Sequence, residues 1–216
     1  MSKPAHLAFL NKSLKQHNYY IMKPIITLTD LEKEFSIDSL TKVTDYDAHF
    51  RDIAESLFAN FAIQNGSDIY RFVEIEFYLN TTEAKDHKIS YPRKTSAGEW
   101  FLHESGVDLA FESNDDVYGG ILIRSIKSGS SYEYKEGDQF INGPRKSSWY
   151  ILDGQNAFGH DERLSRLIEA PTEWEAGSSR SFTRHGIKND DKQFRFTIPL
   201  GLWEKYCKGY SAFPHQ

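Results

Sequence analysis

Residues Tyr70 to Leu79 read YRFVEIEFYL, an alternation of apolar and polar side chains. In an extended strand successive side chains point to opposite faces. Val73, Ile75, Phe77 and Leu79 therefore share one face, and Glu74, Glu76 and Tyr78 share the other. The first face reads as core. The second is either a charged side in water, where carboxylates usually sit, or the floor of a polar pocket.

Before this stretch, Asp45 to Ile63 reads as the main helix. Phe50, Ile53, Leu57, Phe58 and Phe61 recur at spacings of three and four, giving one apolar stripe. Asp45 or Asp47 can cap its start, and Gln64-Asn65-Gly66-Ser67 is expected to end it, with Gly66 in the left-handed position. Before it, residues 5–14 and a segment opened by Thr29 and Glu32 as a capping box read as short helices. IMKPIITL, interrupted by Pro24, connects them in extended form.

Downstream, NTTEAKDHKISYPRK is a loop, and Glu99 to His103 and Val107 to Phe111 are short strands around Ser105-Gly106. GGILIRSI, residues 119–126, is a buried strand whose lone charge is Arg124. NGPRKSSWYIL is a turn leading into a helical or irregular segment, and Arg163 to Ala170 is expected to be a short helix. GSSRSFTRHGI and KQFRFTIP follow as strands, and Leu200 to Cys207 as a closing helix. The sum is an α+β fold: residues 45–216 form a single domain with a curved, mostly antiparallel sheet flanked by helices, preceded by a helical extension over 1–44.

Composition narrows the function. The chain has 216 residues, 26 basic against 31 acidic, for a net charge of -5. Dedicated nucleic-acid binders are usually strongly basic, so any such binding must rest on a local patch. Lys88, Arg93, Lys94, Lys127, Arg145, Lys146, Arg180 and Arg184 supply candidates. Cys207 is the only cysteine, which precludes an intrachain disulfide and suits a reducing compartment. The start MSKPAHLAFLNKSLKQHNYY lacks the continuous apolar core and cleavage site of a signal peptide, so none is expected, and no run approaches the roughly 20 apolar residues of a membrane span. A cytoplasmic, monomeric, membrane-independent protein is expected.

Among the motifs, GxSxG, phosphate-loop, Rossmann and HExxH patterns are missing. His103, Glu104 and Asp108 make an incomplete ligand set, and no metal or cofactor is expected. The strand carboxylates and Arg124 remain. A carboxylate held near water and kept from full solvation can act as a general base. An arginine within a buried strand needs an acidic partner, and Glu74 or Glu76 is at hand. The pair is either structural or the floor of a pocket.

FVEIEFYL, with His87 eleven residues after Glu76, resembles the hallmark of the alkyladenine (3-methyladenine) DNA glycosylase family. Tyr91-Pro92-Arg93, GGILIRSI, Asn142-Gly143-Pro144-Arg145-Lys146, Thr183-Arg184-His185-Gly186-Ile187 and Phe194-Arg195-Phe196 resemble further family elements in the family's order. The resemblance implies the methylpurine DNA glycosylase fold and hydrolysis of the N-glycosidic bond of alkylated or deaminated purines in duplex DNA during base excision repair. Glu76 would be the general base and Arg124 would orient it and its water. Tyr78, His87, His103 and Glu112 would line the pocket of the flipped base, and Arg93, Lys94, Arg145, Lys146 and Arg184 would meet the DNA. Such a repair enzyme would work on the nucleoid. The chain departs from the family at Ser105, where the family inserts an aromatic into DNA, at Glu112, where it has a small amide, and at Phe77, where it has alanine. A pocket for a small purine-like molecule and a non-catalytic interaction module are the competing readings.

Overall fold

A computed structural model describes residues 24–86, 90–133, 135–154, 164–199 and 201. The expected helices over 5–14 and from Leu200 to Cys207 lie essentially outside these residues, as do His87 and Lys88.

The quoted stretch forms the centre of β2 (Asp68–Asn80), the longest strand, with β5 (Tyr118–Ser128) antiparallel along one edge. The other edge of β2 is shared. β1 (Phe61–Asn65) covers its start, and β9 (Arg195–Thr197) pairs beside Glu74, Ile75 and Glu76. The remaining strands are β3 (Trp100–His103), β4 (Gly106–Ala110), β6 (Phe140–Asn142), β7 (Arg166–Glu169) and β8 (Arg180–Phe182). They complete a curved antiparallel sheet in the order β3-β4-β5-β2-β1-β7, with β6 on β5 and β8 on β9. The fold is α+β.

Helix α3 (Tyr46–Asn60) is capped by the Asp45 carboxylate, which accepts the Ala48 N–H at 3.0 Å. Its apolar stripe lies on the Val73, Ile75, Phe77 and Leu79 face of β2, all fully buried. Phe77 stacks on Phe50 at 4.4 Å and meets Phe196 edge-on at 5.6 Å, so its ring fills a space that alanine would leave open. Helices α1 (Leu28–Glu34) and α2 (Ile37–Leu40) add Leu31, Phe35 and Leu40 to the same core. Among the described residues no helix is long and apolar enough to cross a membrane.

Three local expectations are corrected. The main helix ends at Asn60, because Phe61 turns to extended backbone and Phe61 to Asn65 become a strand with β2 and β7 on its two sides. Gly66, at φ 59°, serves the β1–β2 turn instead of a helix end. Arg166 to Glu169, expected to be helical, pair with β1 as β7; a four-residue strand carries too little periodicity to be read alone. The capping box is Thr27 with Asp30, not Thr29 with Glu32. Both registers fit the pattern, and the first is the one used.

Cutting Phe77 back to alanine should cost about 3–5 kcal/mol in urea denaturation, the usual loss for a buried phenylalanine. Burial holds the His49 pKa at about 4 against an ordinary 6.5. A histidine kept neutral in the native state loses stability as pH falls below 6.5, because the unfolded chain takes up the proton first. His49→Leu should therefore flatten the dependence of urea midpoint on pH between about 6.5 and 4.

Candidate functional site

On the face of β2 away from α3, the two carboxylates are buried with two arginines around them. Glu76 is fully buried and Glu74 is 4% exposed. The register with β5 shifts between Phe72 and Ile75, a bulge beside Glu74. Arg124 Nε then donates to Glu74 Oε1 at 3.2 Å, and its Nη1 donates to Glu76 Oε2 at 3.1 Å. Arg195, opposite Glu76 on β9, reaches Glu74 Oε1 at 3.5 Å. The Ser125 hydroxyl donates to Glu74 Oε2 at 3.2 Å. Two carboxylates facing two guanidinium groups leave no net buried charge. Leaving one unpaired would cost several kcal/mol.

Glu76 has two further donors. The Tyr78 hydroxyl reaches Oε2 at 2.9 Å, and the backbone N–H of His185 reaches Oε1 at 2.7 Å. Burial, and then the Glu76 charge, push the Tyr78 phenol well above its ordinary pKa, so it stays a donor. Burial works to lower the Arg124 pKa, but Glu76 and Glu74 outweigh it and hold the guanidinium charged. Glu74 is moved the other way: burial raises its pKa against the pull of Arg124 and Arg195.

Above this network lies a cleft of about 1030 Å³, at the upper end of ordinary ligand pockets. Tyr78, Leu122 and Arg124 form its floor, and Tyr91, His103 and Ser105 one wall. His185, Ile187 and the start of α4 (Pro144–Ile151) complete the lining. His103 packs against Tyr91 with ring centres 4.6 Å apart and planes tilted by 39°, and it is held by Asp108, whose Oδ1 lies 2.9 Å from Nε2. The Ser105 N–H points to His103 Nδ1 at 3.3 Å, which fixes the ring with its hydrogen on Nε2. Ser90 also lines the cleft, its buried hydroxyl without a partner among the described residues. At Gly106 a Cβ would come within 3.0 Å of Pro144, so glycine is what lets the β3–β4 hairpin close against α4.

The structure thus gathers Arg124, Tyr78 and His103 at one cleft, with Glu76 buried behind Arg124 and Tyr78 and with Arg145 and Lys146 exposed at the mouth. The other expected residues are employed differently. Glu112 is outside the cleft, where its Oε2 accepts the Ile37 N–H at 2.9 Å and secures the start of α2. Arg93 is buried against Asp108 at 2.7 Å and stacks on Phe101 at 3.9 Å, so it braces the wall. Arg184 is buried between Asp86, at 2.6 Å, and Asp190, at 2.9 Å, and its guanidinium lies 5.1 Å from the Tyr78 ring centre. Lys94 is exposed and paired with Asp115 at 2.9 Å, and Lys127 is buried against Asp138 at 2.6 Å.

Sequence reading gave Asp86, Asp190, Ser125 and the His185 N–H no role. Asp86 and Asp190 carry a signal in hindsight, since a buried arginine between strands implies acids in the facing loops. The backbone N–H carries none. Compared with protein-family models and with curated proteins, the chain matches none.

If Arg184 is a brace, Arg184→Met should lower unfolding free energy by roughly 3–5 kcal/mol, since two acids lose their buried partner. Lys146→Ala, at an exposed position, should stay within about 0.5 kcal/mol. Paired urea titrations of the two variants read the contrast.

Proposed function

We propose that the protein is a divergent purine N-glycosylase of the alkyladenine type, acting on damaged bases in DNA. The observation that carries the reading is Glu76 hydrogen-bonded to Arg124 at 3.1 Å beneath a cleft walled by Tyr78, Tyr91 and His103. Flat aromatic walls suit a purine turned out of its stack, and polar groups along the cleft suit its edge. In the hydrolysis, water adds to the sugar C1′ while the bond from C1′ to the base nitrogen breaks. Glu76 takes the proton of the water and the bonding electron pair leaves with the base; a cationic alkylated purine departs neutral, and hypoxanthine takes up a proton from solvent as it leaves. Glu76 is fully buried in this conformation. For this step the Tyr78 hydroxyl would leave Oε2 to free a lone pair, while Arg124 holds the carboxylate in place. The acidic composition and lone cysteine fit work in the cytoplasm.

A second reading has its own observation. Glu76 already accepts three hydrogen bonds, from Arg124, Tyr78 and His185. That is also what a purely structural pair looks like, under a cleft that binds without reacting.

Incubation with duplexes carrying hypoxanthine or alkylated purines separates the two. Base release by the native protein should fall at least a hundredfold in Glu76→Gln, the usual scale for loss of a general base, with thermal melting confirming a folded variant. No release from any of these duplexes by the folded native protein favours the structural reading and overturns the first.

A further inference from the structure

The exposed side of α4 combines charge and aromatic surface in an order its packing does not require. Ser147, Ser148 and Ile151 face the sheet, while Arg145, Lys146, Trp149 and Tyr150 face solvent. Residues four apart on a helix are neighbours, so Trp149 follows Arg145 and Tyr150 follows Lys146 along one face. Tyr150 is 38% exposed and lies edge-on to Tyr70 at 6.2 Å, which fixes it. Trp149 is 69% exposed and has no aromatic partner among the described residues. Arg145 and Lys146 have no ion pair among the described residues, although the chain as a whole is acidic. Both line the mouth of the cleft.

A lone exposed tryptophan is ordinary. Here it continues, along one helix face, a cleft mouth that carries Arg145 and Lys146; Glu104 of the hairpin lines the same cleft and is engaged by the Tyr91 hydroxyl, and Asp68 and Asp153 lie beside Tyr70 and Tyr150. The combination of cations that track phosphates with an aromatic plane for bases is the recognition chemistry of single-stranded nucleic acid.

We propose that this face of α4 is a nucleic-acid contact surface, in which Arg145 and Lys146 each hold a phosphate and Trp149 stacks on an unpaired base outside the cleft. The inference rests on the nucleic-acid half of the proposed function and not on the hydrolysis. It also gives the chain an exposed aromatic beside its cleft. The neighbouring hairpin, ending in Glu104 and Ser105, has none at its tip.

The test is fluorescence anisotropy with a labelled thymidine oligonucleotide, used single-stranded and as a fully paired duplex. Trp149→Ala should weaken single-strand binding about tenfold, within the range of one base–aromatic stack. Trp149→Phe should recover most of that loss, and duplex affinity should change little. Arg145→Ala with Lys146→Ala should make the log–log salt slope shallower by about 1.4, from about 0.7 per phosphate contact on a single strand. Equal affinity of native protein and Trp149→Ala, with salt-sensitive binding retained, overturns the α4 surface while leaving the DNA reading intact. Absence of any salt-sensitive binding overturns both. A change in sedimentation mass of Trp149→Ala with unchanged oligonucleotide affinity identifies a protein contact instead, and the proposal falls. Loss of the stacking contribution in a protein that releases no base keeps the surface and rejects the hydrolysis.

Discussion

Two carboxylates two residues apart on the same face of a central strand cannot be buried without cations. Glu74 and Glu76 sit between β5 and β9, and each neighbouring strand supplies one arginine. Arg124 bridges the two acids, and Arg195 reaches Glu74 from the other side. This arrangement sets the local strand geometry. The shift in register beside Glu74 sits where the Arg124 guanidinium spans both acids. It also divides the molecule in two. The opposite face of β2 is free to be wholly apolar, and Phe77, Phe50 and Phe196 fill it.

A second layer of charge holds the cleft in shape. Arg184 joins Asp86 to Asp190, and Lys192 adds a second cation to Asp86. The next residue, His185, delivers its N–H to Glu76, so the brace of the loop is also what positions a donor on the candidate base. Arg93 does the same for the other wall, holding Asp108, which holds His103. Buried ion pairs of this kind contribute less to stability than their Coulomb attraction suggests, because desolvation opposes it. Their effect here is to fix side chains around an open space.

How much of this was legible follows from the kind of signal each residue carries. Alternation in YRFVEIEFYL identified the strand and both faces, and the single arginine in GGILIRSI identified the partner of the acids. The start of α3 was legible from Asp45. Its end was not, since Phe61 continues the helical spacing while belonging to a strand whose two neighbours lie elsewhere in the chain. β7 was misread for the same reason: its partner, β1, is about a hundred residues away. Basic residues were the least readable. Charge is visible in a sequence and burial is not, so Arg93 and Arg184 looked like surface cations beside Arg145 and Lys146, which are exposed. Glu112 was placed in the pocket by resemblance, but secures α2.

In the proposed function the Glu76–Arg124 network floors a purine pocket. Addition of free hypoxanthine to isotope-labelled protein tests it most directly, by following the backbone amide of His185 and the ring of His103. Both resonances should shift with one common saturation curve, because one reports on Glu76 and the other on the wall of the same cleft. Unchanged resonances at saturating base, or shifts confined to residues outside the cleft, would contradict it.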